Sequence, residues 1–366
     1  MNGLNLSNIQ DAKLGSTQVS ALYYGSTKIW ESTPDYPEYL TITSLDDNNE
    51  IYWNLSDANA FVYTITYSTD YINWSAPIAP TTGGTLITTL NTNQKLYIRA
   101  NMGIQTTSYY NFFSSTGRFN LSGSTYWLSN TPGTCADYIY KGLFYGCTGL
   151  QDASQLLLAE TTLAEGCYES MFKGCLFLDA APVLPATTLA TSCYRSMFQN
   201  CSQLTAAPVL PATTLAEGCY RAMFQACTWL STPPALSATT LALECYREMF
   251  KGCTNMTSVP ALPATTLAAG CYRAMFSSCN NILSAPDLPA TKLVTYCYYY
   301  MFENCYKLEY IKCYATNISA SNSHAYWVKG VTTNQQTGNF YKPASMTSWA
   351  TNSTSGIPTG WTVVNI

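Results

Sequence analysis

The chain has 366 residues, 47% of them apolar and only 10% charged, with a net charge of −4. That length points to two or three domains, and the sparse charge leaves Thr, Ser, Asn, Tyr and Ala to cover the surface. No Lys/Arg-rich run offers a footprint for duplex nucleic acid, and no apolar run approaches the ~20 residues that cross a bilayer, which argues against nucleic-acid partners and against membrane insertion.

The opening "MNGLNLSNIQDAKLG" lacks the basic and apolar regions of a secretory signal, so either export is absent or the signal has been removed. Residues 1–33 contain an echo, "KLGSTQV" and "YYGSTKIW", in which Gly-Ser-Thr turns precede short β-branched or aromatic pieces. This predicts a small β-hairpin, too small for a core of its own.

Residues 34–112 alternate with period two in "YLTITSL", "EIYWNL", "FVYTITYS", "TLITTL" and "KLYIRAN", separated by polar turn segments. Strands of that length and spacing predict an antiparallel β-sandwich of immunoglobulin or fibronectin type III kind. Residues 113–139, rich in Ser, Gly and aromatics, connect it to a long repetitive segment.

From residue 140 to 312 one unit of about 26 letters recurs, C-Y-x-x-M-F-x-x-C-x-x-L-x-x-x-P-x-L-P-A-T-T-L-A-x-x, with copies starting at Cys167, Cys193, Cys219, Cys245, Cys271 and Cys297. Cys193, Met197 and Cys201 are four apart, as are Tyr194 and Phe198, a stripe that predicts a two-turn helix. Pro208 and Pro211 then impose extended backbone. One such unit cannot bury its apolar face alone, whereas copies stacked in register can, and this predicts a solenoid. Leu210, Leu236 and Leu262 then fall in one ladder, and Cys193, Cys219, Cys245 and Cys271 in another. The fold class expected is therefore mainly β with short helices: hairpin, sandwich, solenoid and, over residues 313–366, a C-terminal cap.

Twelve of the fifteen cysteines fall on the repeat lattice, so periodicity rather than pairing explains their number. Each thiol has two equivalent neighbours, which leaves two readings: buried free thiols acting as small hydrophobes, or some disulfides. No C-x-x-C occurs and His324 is the single histidine, so zinc is not expected, nor any other cofactor.

No catalytic constellation emerges. There is no Gly-x-Ser-x-Gly elbow and no phosphate-cradling loop, and the expectation is a protein that is not an enzyme. Asp46, Asp47 and Glu50 lie close together but lack the ligand spacing of a calcium loop, and read as a polar hairpin turn. Two columns are candidate binding features. Arg195, Arg221, Arg247 and Arg273 share the third position of the repeat, and stacked guanidinium groups suit carboxylate or phosphate; the alternative is a solvated row relieved by Glu217, Glu244 and Glu248. The position two after each second cysteine varies, reading Phe177, Gln203, Trp229, Asn255, Asn281 and Lys307. There Phe177 and Trp229 could stack on sugar rings, while drift at an exposed position explains the variation equally well.

The run "MFxxCxxLxxxPxLPATTLA" resembles the BspA-like leucine-rich repeats of surface proteins of gut bacteria, over about residues 140–312; Ser237 departs from it, standing where other units have proline. The tail, "YIKCYATNISASN" through "WATNSTSGIPTGWTV", resembles the end segment of such proteins in Bacteroides and their phages. The opening "KLGSTQVSALYYGSTKIW" is similar to N-termini of virion proteins from tailed phages, including crAss-like phages. These resemblances imply host-surface attachment by a virion fibre or decoration protein. Residues 1–33 would be held by other virion proteins, the protein would be a homo-oligomer, and the repeats would face a host glycan or protein. A secreted bacterial adhesin is the alternative.

Overall fold

A computed structural model describes residues 38–58, 62–103, 111–130, 135–331 and 337–366, together with the backbone of the strands at 13–14, 17–18, 21–24 and 27–31. The chain divides into two compact units, Met1–Glu38 and Tyr39–Ile366. In the first, β1 (Lys13–Leu14) pairs antiparallel with β2 (Thr17–Gln18), and β3 (Ala21–Tyr24) with β4 (Thr27–Glu31). Each half of the sequence echo thus spans a hairpin of its own, where the sequence suggests a single one.

In the second unit, β5 (Leu40–Ser44), β6 (Asn49–Leu55), β7 (Ile65–Ser68), β8 (Thr85–Leu90), β9 (Lys95–Ala100), β10 (Asn111–Ser115) and β11 (Phe119–Ser124) build two sheets. One has the order β10-β6-β8; the other has the order β11-β5-β9-β7, extended beyond β11 by a strand from the repeats. The apolar member of each alternation turns inward: Ile51, Trp53 and Phe113 from one sheet meet Leu40, Ile42, Leu96 and Ile98 from the other in a common core. Trp53 and Phe113 are in ring contact at 4.6 Å, and the indole Nε1 donates to the Tyr63 carbonyl. This two-sheet arrangement is compatible with the expected sandwich, and its strands continue past residue 112.

The cysteine-containing part of each unit is not helical, contrary to the expectation of short helices. Among the described residues the single helical element is a 3₁₀ turn, Thr125–Leu128. Ser192, Ser196 and Asn200 have φ of 54°, 55° and 64°, so a left-handed residue recurs every fourth position and breaks the α-helical path. The local bonds are of the i→i−3 kind, from the amides of Arg195, Met197, Gln199 and Cys201. The intervening amides, of Tyr194, Ser196, Phe198 and Asn200, donate instead to the carbonyls of Cys219, Arg221, Met223 and Gln225 in the next copy. An α-helix would consume every amide internally and leave none for the neighbour. The four-residue spacing survives as a repeating turn, and so does the buried stripe: Cys193, Met197, Cys201 and Phe198 are fully buried.

The same bonding runs from Tyr140 to Lys329, so the copies lie in register. Their aromatic rings form two columns of nearly parallel planes. Phe172, Phe198, Phe224 and Phe250 are 5.5, 5.7 and 5.9 Å apart in succession, and Tyr194 and Tyr220 are 6.0 Å apart. Phe113 stacks on Phe144 at 5.6 Å and ties the sheets to one end of the column. At the other end Trp327 stacks on Tyr298 at 6.2 Å.

In the extended part of the copy that starts at Cys167, Pro182, Leu184 and Ala186 are buried while Val183 and Thr187 are exposed, the period-two pattern of a strand. Proline has no N–H, so the ladder there is reduced to isolated parallel bridges such as Thr214↔Thr240 and Thr240↔Thr266. The flanking copies lack the proline, and there true strands form: β12 (Leu150–Leu157), parallel to β11, and β13 (Tyr310–Lys312), parallel to β14 (Asn339–Lys342), which is itself parallel to β15 (Thr362–Asn365). Both ends of the stack are thereby bonded to strands from outside it.

Candidate recognition surface

The stacking that builds the core also places each repeat position in a column. All fifteen thiols are free, and fourteen are buried; the exception is Cys135, which is partly exposed. Cys201, Cys227 and Cys253 point their Sγ at the carbonyls of Phe172, Phe198 and Phe224, at 3.0–3.1 Å. Cys193, Cys219, Cys245 and Cys271 are fully buried, and Leu210, Leu236 and Leu262 almost so. Burial pushes the thiols up, to about 12 for Cys193 and Cys245.

The arginine column is largely committed to neighbours. Glu244 accepts from Arg221 at 3.1 Å and from Arg247 at 2.8 Å, and Glu248 lies 3.7 Å from Arg247. Arg273 lies over the rings of Tyr296 and Tyr299, at 5.6 and 5.1 Å. Arg195 makes no side-chain hydrogen bond or ion pair among the described residues. Burial lowers the Arg221 pKa, and the neighbouring Arg247 and Arg195 add to this, so the column holds mutually repelling cations that Glu244 relieves. Glu217 is exposed and takes no part.

The variable column is more open. Phe177 is 54% and Trp229 55% exposed, while Gln203, Asn255 and Lys307 are exposed and Asn281 half-buried. Backbone bonds hold it in register: the Trp229 amide donates to Ser202 and that of Asn255 to Thr228. The Lys307 Nζ donates to the Asn281 side chain at 2.7 Å. Beside Phe177 lies a cleft of about 250 Å³, lined by Asp46, Ser115, Gly117, Arg118, Thr148 and Gly149. Asp46 is paired with Arg118 at 2.8 Å, Asp47 accepts from the amide and hydroxyl of Thr92, and Glu50 accepts from Tyr52. The three carboxylates are thus divided among separate partners, Asp46 and Asp47 in the polar turn before β6 and Glu50 in β6 itself, a correction to the expectation that all three belong to the turn. Among the described residues no group of three His, Cys, Asp or Glu side chains is placed to hold a metal, and no helix is long and apolar enough to cross a membrane. His324 is half-buried, with Nδ1 2.9 Å from the Ser323 hydroxyl and its ring edge-on to Trp349; burial lowers its pKa.

One buried carboxylate escapes the sequence reading. Glu160 accepts from the hydroxyls of Tyr140, at 2.9 Å, and Tyr168. It stands where other copies have Ala186, Ala212 or Ala238, so the letters "AETT" in place of "PATT" were the available signal. Comparisons with protein-family models, with curated proteins and with solved structures find no match.

Proposed function

We propose that residues 140–312 form a leucine-rich-repeat solenoid of the BspA-like kind, with residues 313–366 as its cap, and that it is the recognition arm of a non-enzymatic phage virion protein. In this reading the protein is a head or tail fibre or decoration component. Residues 1–33 attach it to other virion proteins, and it assembles as a homo-oligomer because attachment sites on a virion are symmetric. The repeats face outward and bind a glycan or protein of the host surface.

The observation that carries the reading is the exposure of Phe177 and Trp229 on a column whose backbone is fixed by bonds between copies. A rigid frame lets one outward position vary without disturbing the core, and exposed aromatic faces suit sugar rings. Labelled protein should bind Bacteroides cells, and Phe177→Ala/Trp229→Ala should weaken that binding at least about tenfold, as expected when two aromatic anchors are lost. Unchanged binding of the double variant, with its fold intact by circular dichroism, would refute the assignment.

The second reading, a secreted bacterial adhesin, draws on the same repeats. Mass spectrometry of purified virions against bacterial surface fractions separates the two. Recovery in particles supports the virion reading, and recovery in the cell envelope of uninfected bacteria overturns it.

A further inference from the structure

The outer face of the sheet built from β5, β9 and β7 carries a second feature, remote in sequence from the repeat columns. Register pairs Thr66 with Arg99, and the Arg99 Nε donates to the Thr66 hydroxyl at 2.8 Å. The guanidinium carbon sits 4.2 Å from the centroid of the Trp74 ring, within cation–π range. Arg99 is exposed, and among the described residues its two Nη groups make no hydrogen bond or ion pair. It borders a cleft of about 210 Å³ lined by Thr64, Thr66, Pro77, Ala100 and Asn101.

The loop that supplies Trp74 is built to hold this shape. Asp70 accepts from the amides of Ile72 and Asn73 at 2.9 and 2.7 Å, and from the side chains of Ser68 and Asn73 at 2.9 and 2.6 Å. These bonds hold its carboxyl far below the usual range. The loop turns through Tyr71, which has a φ of 68°, and returns Tyr71 and Trp74 onto the sheet, where both rings pack against Tyr39 at 5.2 and 4.7 Å. Tyr71 remains 45% exposed.

An arginine fixed at Nε and stacked on an indole presents its two Nη groups as a preset fork, the geometry that receives a carboxylate through two parallel hydrogen bonds. The hydroxyls and amide around it suit a polyhydroxylated ring. We infer that Arg99, Trp74, Thr64, Thr66 and Asn101 form a binding site for the carboxylate of an acidic sugar residue in a polysaccharide. The site is independent of the column that carries Phe177 and Trp229, so the failure of either proposal leaves the other standing.

The test titrates the full chain with three probes, an oligogalacturonate, a hyaluronan oligosaccharide and sialyllactose, with the methyl ester of the oligogalacturonate as a neutral control. At least one acid should bind, and the ester should not. Arg99→Gln should lose about 10- to 100-fold in affinity, the loss expected when charge-assisted bonds are removed. Arg99→Lys, which keeps the charge but not the fork, should rescue only part. Phe177→Ala/Trp229→Ala should bind these acids as the wild type does. Absence of binding to all three acids, equal affinity of Arg99→Gln, or preference for the free carboxylate of a short peptide over every sugar would overturn the inference.

Discussion

Raising the pH of the reduced protein from 8 to 11 should unfold it well before ordinary proteins yield to base. Burial raises the pKa of every one of the fourteen buried thiols, to about 12 for Cys147, Cys279 and Cys313 and to about 11 for Cys297. In the unfolded chain they ionise near their ordinary value, about 9. The folded state thus holds protons that the unfolded state releases. Stability is complete below that ordinary value and falls as pH climbs toward the raised ones. One pH unit above it each thiol costs on the order of 1.4 kcal/mol. Fourteen of them together cost on the order of 20 kcal/mol, against a typical total stability of about 5–15 kcal/mol. Unfolding should therefore be centred between about pH 9 and 10. The stacked tyrosines, shifted in the same direction, steepen it further. The assay is circular dichroism against pH, with stability from denaturant titrations at each pH. A stability flat to pH 11 would refute the reasoning, because the thiols could not then be buried as described.

The packing sets three further outcomes. Phe224→Ala should cost about 3–5 kcal/mol in denaturant unfolding, the range for a buried phenylalanine, because the ring is fully buried and stacked on both faces. In the native state a thiol reagent should modify Cys135 alone, and in guanidinium all fifteen cysteines; rapid native reaction at several sites would contradict the burial. Glu244→Gln should lower stability by about 1 kcal/mol, since it removes the carboxylate shared by Arg221 and Arg247. The same change should create binding to heparin that the unaltered column lacks, read by retention on a heparin column.

Much of the architecture was legible because the repeat is written so regularly. The alternations at "YLTITSL", "TLITTL" and "KLYIRAN" coincide with β5, β8 and β9. The buried stripe of Cys193, Met197 and Cys201 was legible too, but its backbone was not. A spacing of four fits both an α-helix and a coil of turns, and hydrophobic periodicity cannot separate them. A partial signal lay before some of the cysteines, at Gly166, Gly218 and Gly270, then Gly174, Asn200 and Gly252, types that tolerate positive φ, whereas Ser192, Ala226, Glu244, Ser278 and Tyr296 take the same conformation without announcing it. The extent of the stack was also hidden, because "SNSHAYWVKG" keeps the bonding pattern through Ser323, Ala325, Trp327 and Lys329 without the Cys, Met and Phe letters. Of the candidate columns, sequence placed the exposed aromatics and named Glu217, Glu244 and Glu248 as neighbours relieving the arginines, but not which of the three the turns direct at them: Glu244 and Glu248 reach the column and Glu217 does not. Arg99 and Trp74 are 25 residues apart in sequence, and only the strand pairing brings them together.

The central claim is that each copy bonds to the next in register. Paired cysteines introduced on the exposed threonine column test it directly. Thr214 and Thr240 are bridge partners, which sets them about 4.8 Å apart and within disulfide reach, whereas Thr214 and Thr266 are two steps apart, about 9.6 Å and beyond it. Mild oxidation should close the disulfide in Thr214→Cys/Thr240→Cys and leave Thr214→Cys/Thr266→Cys open. Equal closure of both pairs, or closure of neither, would contradict the stacking.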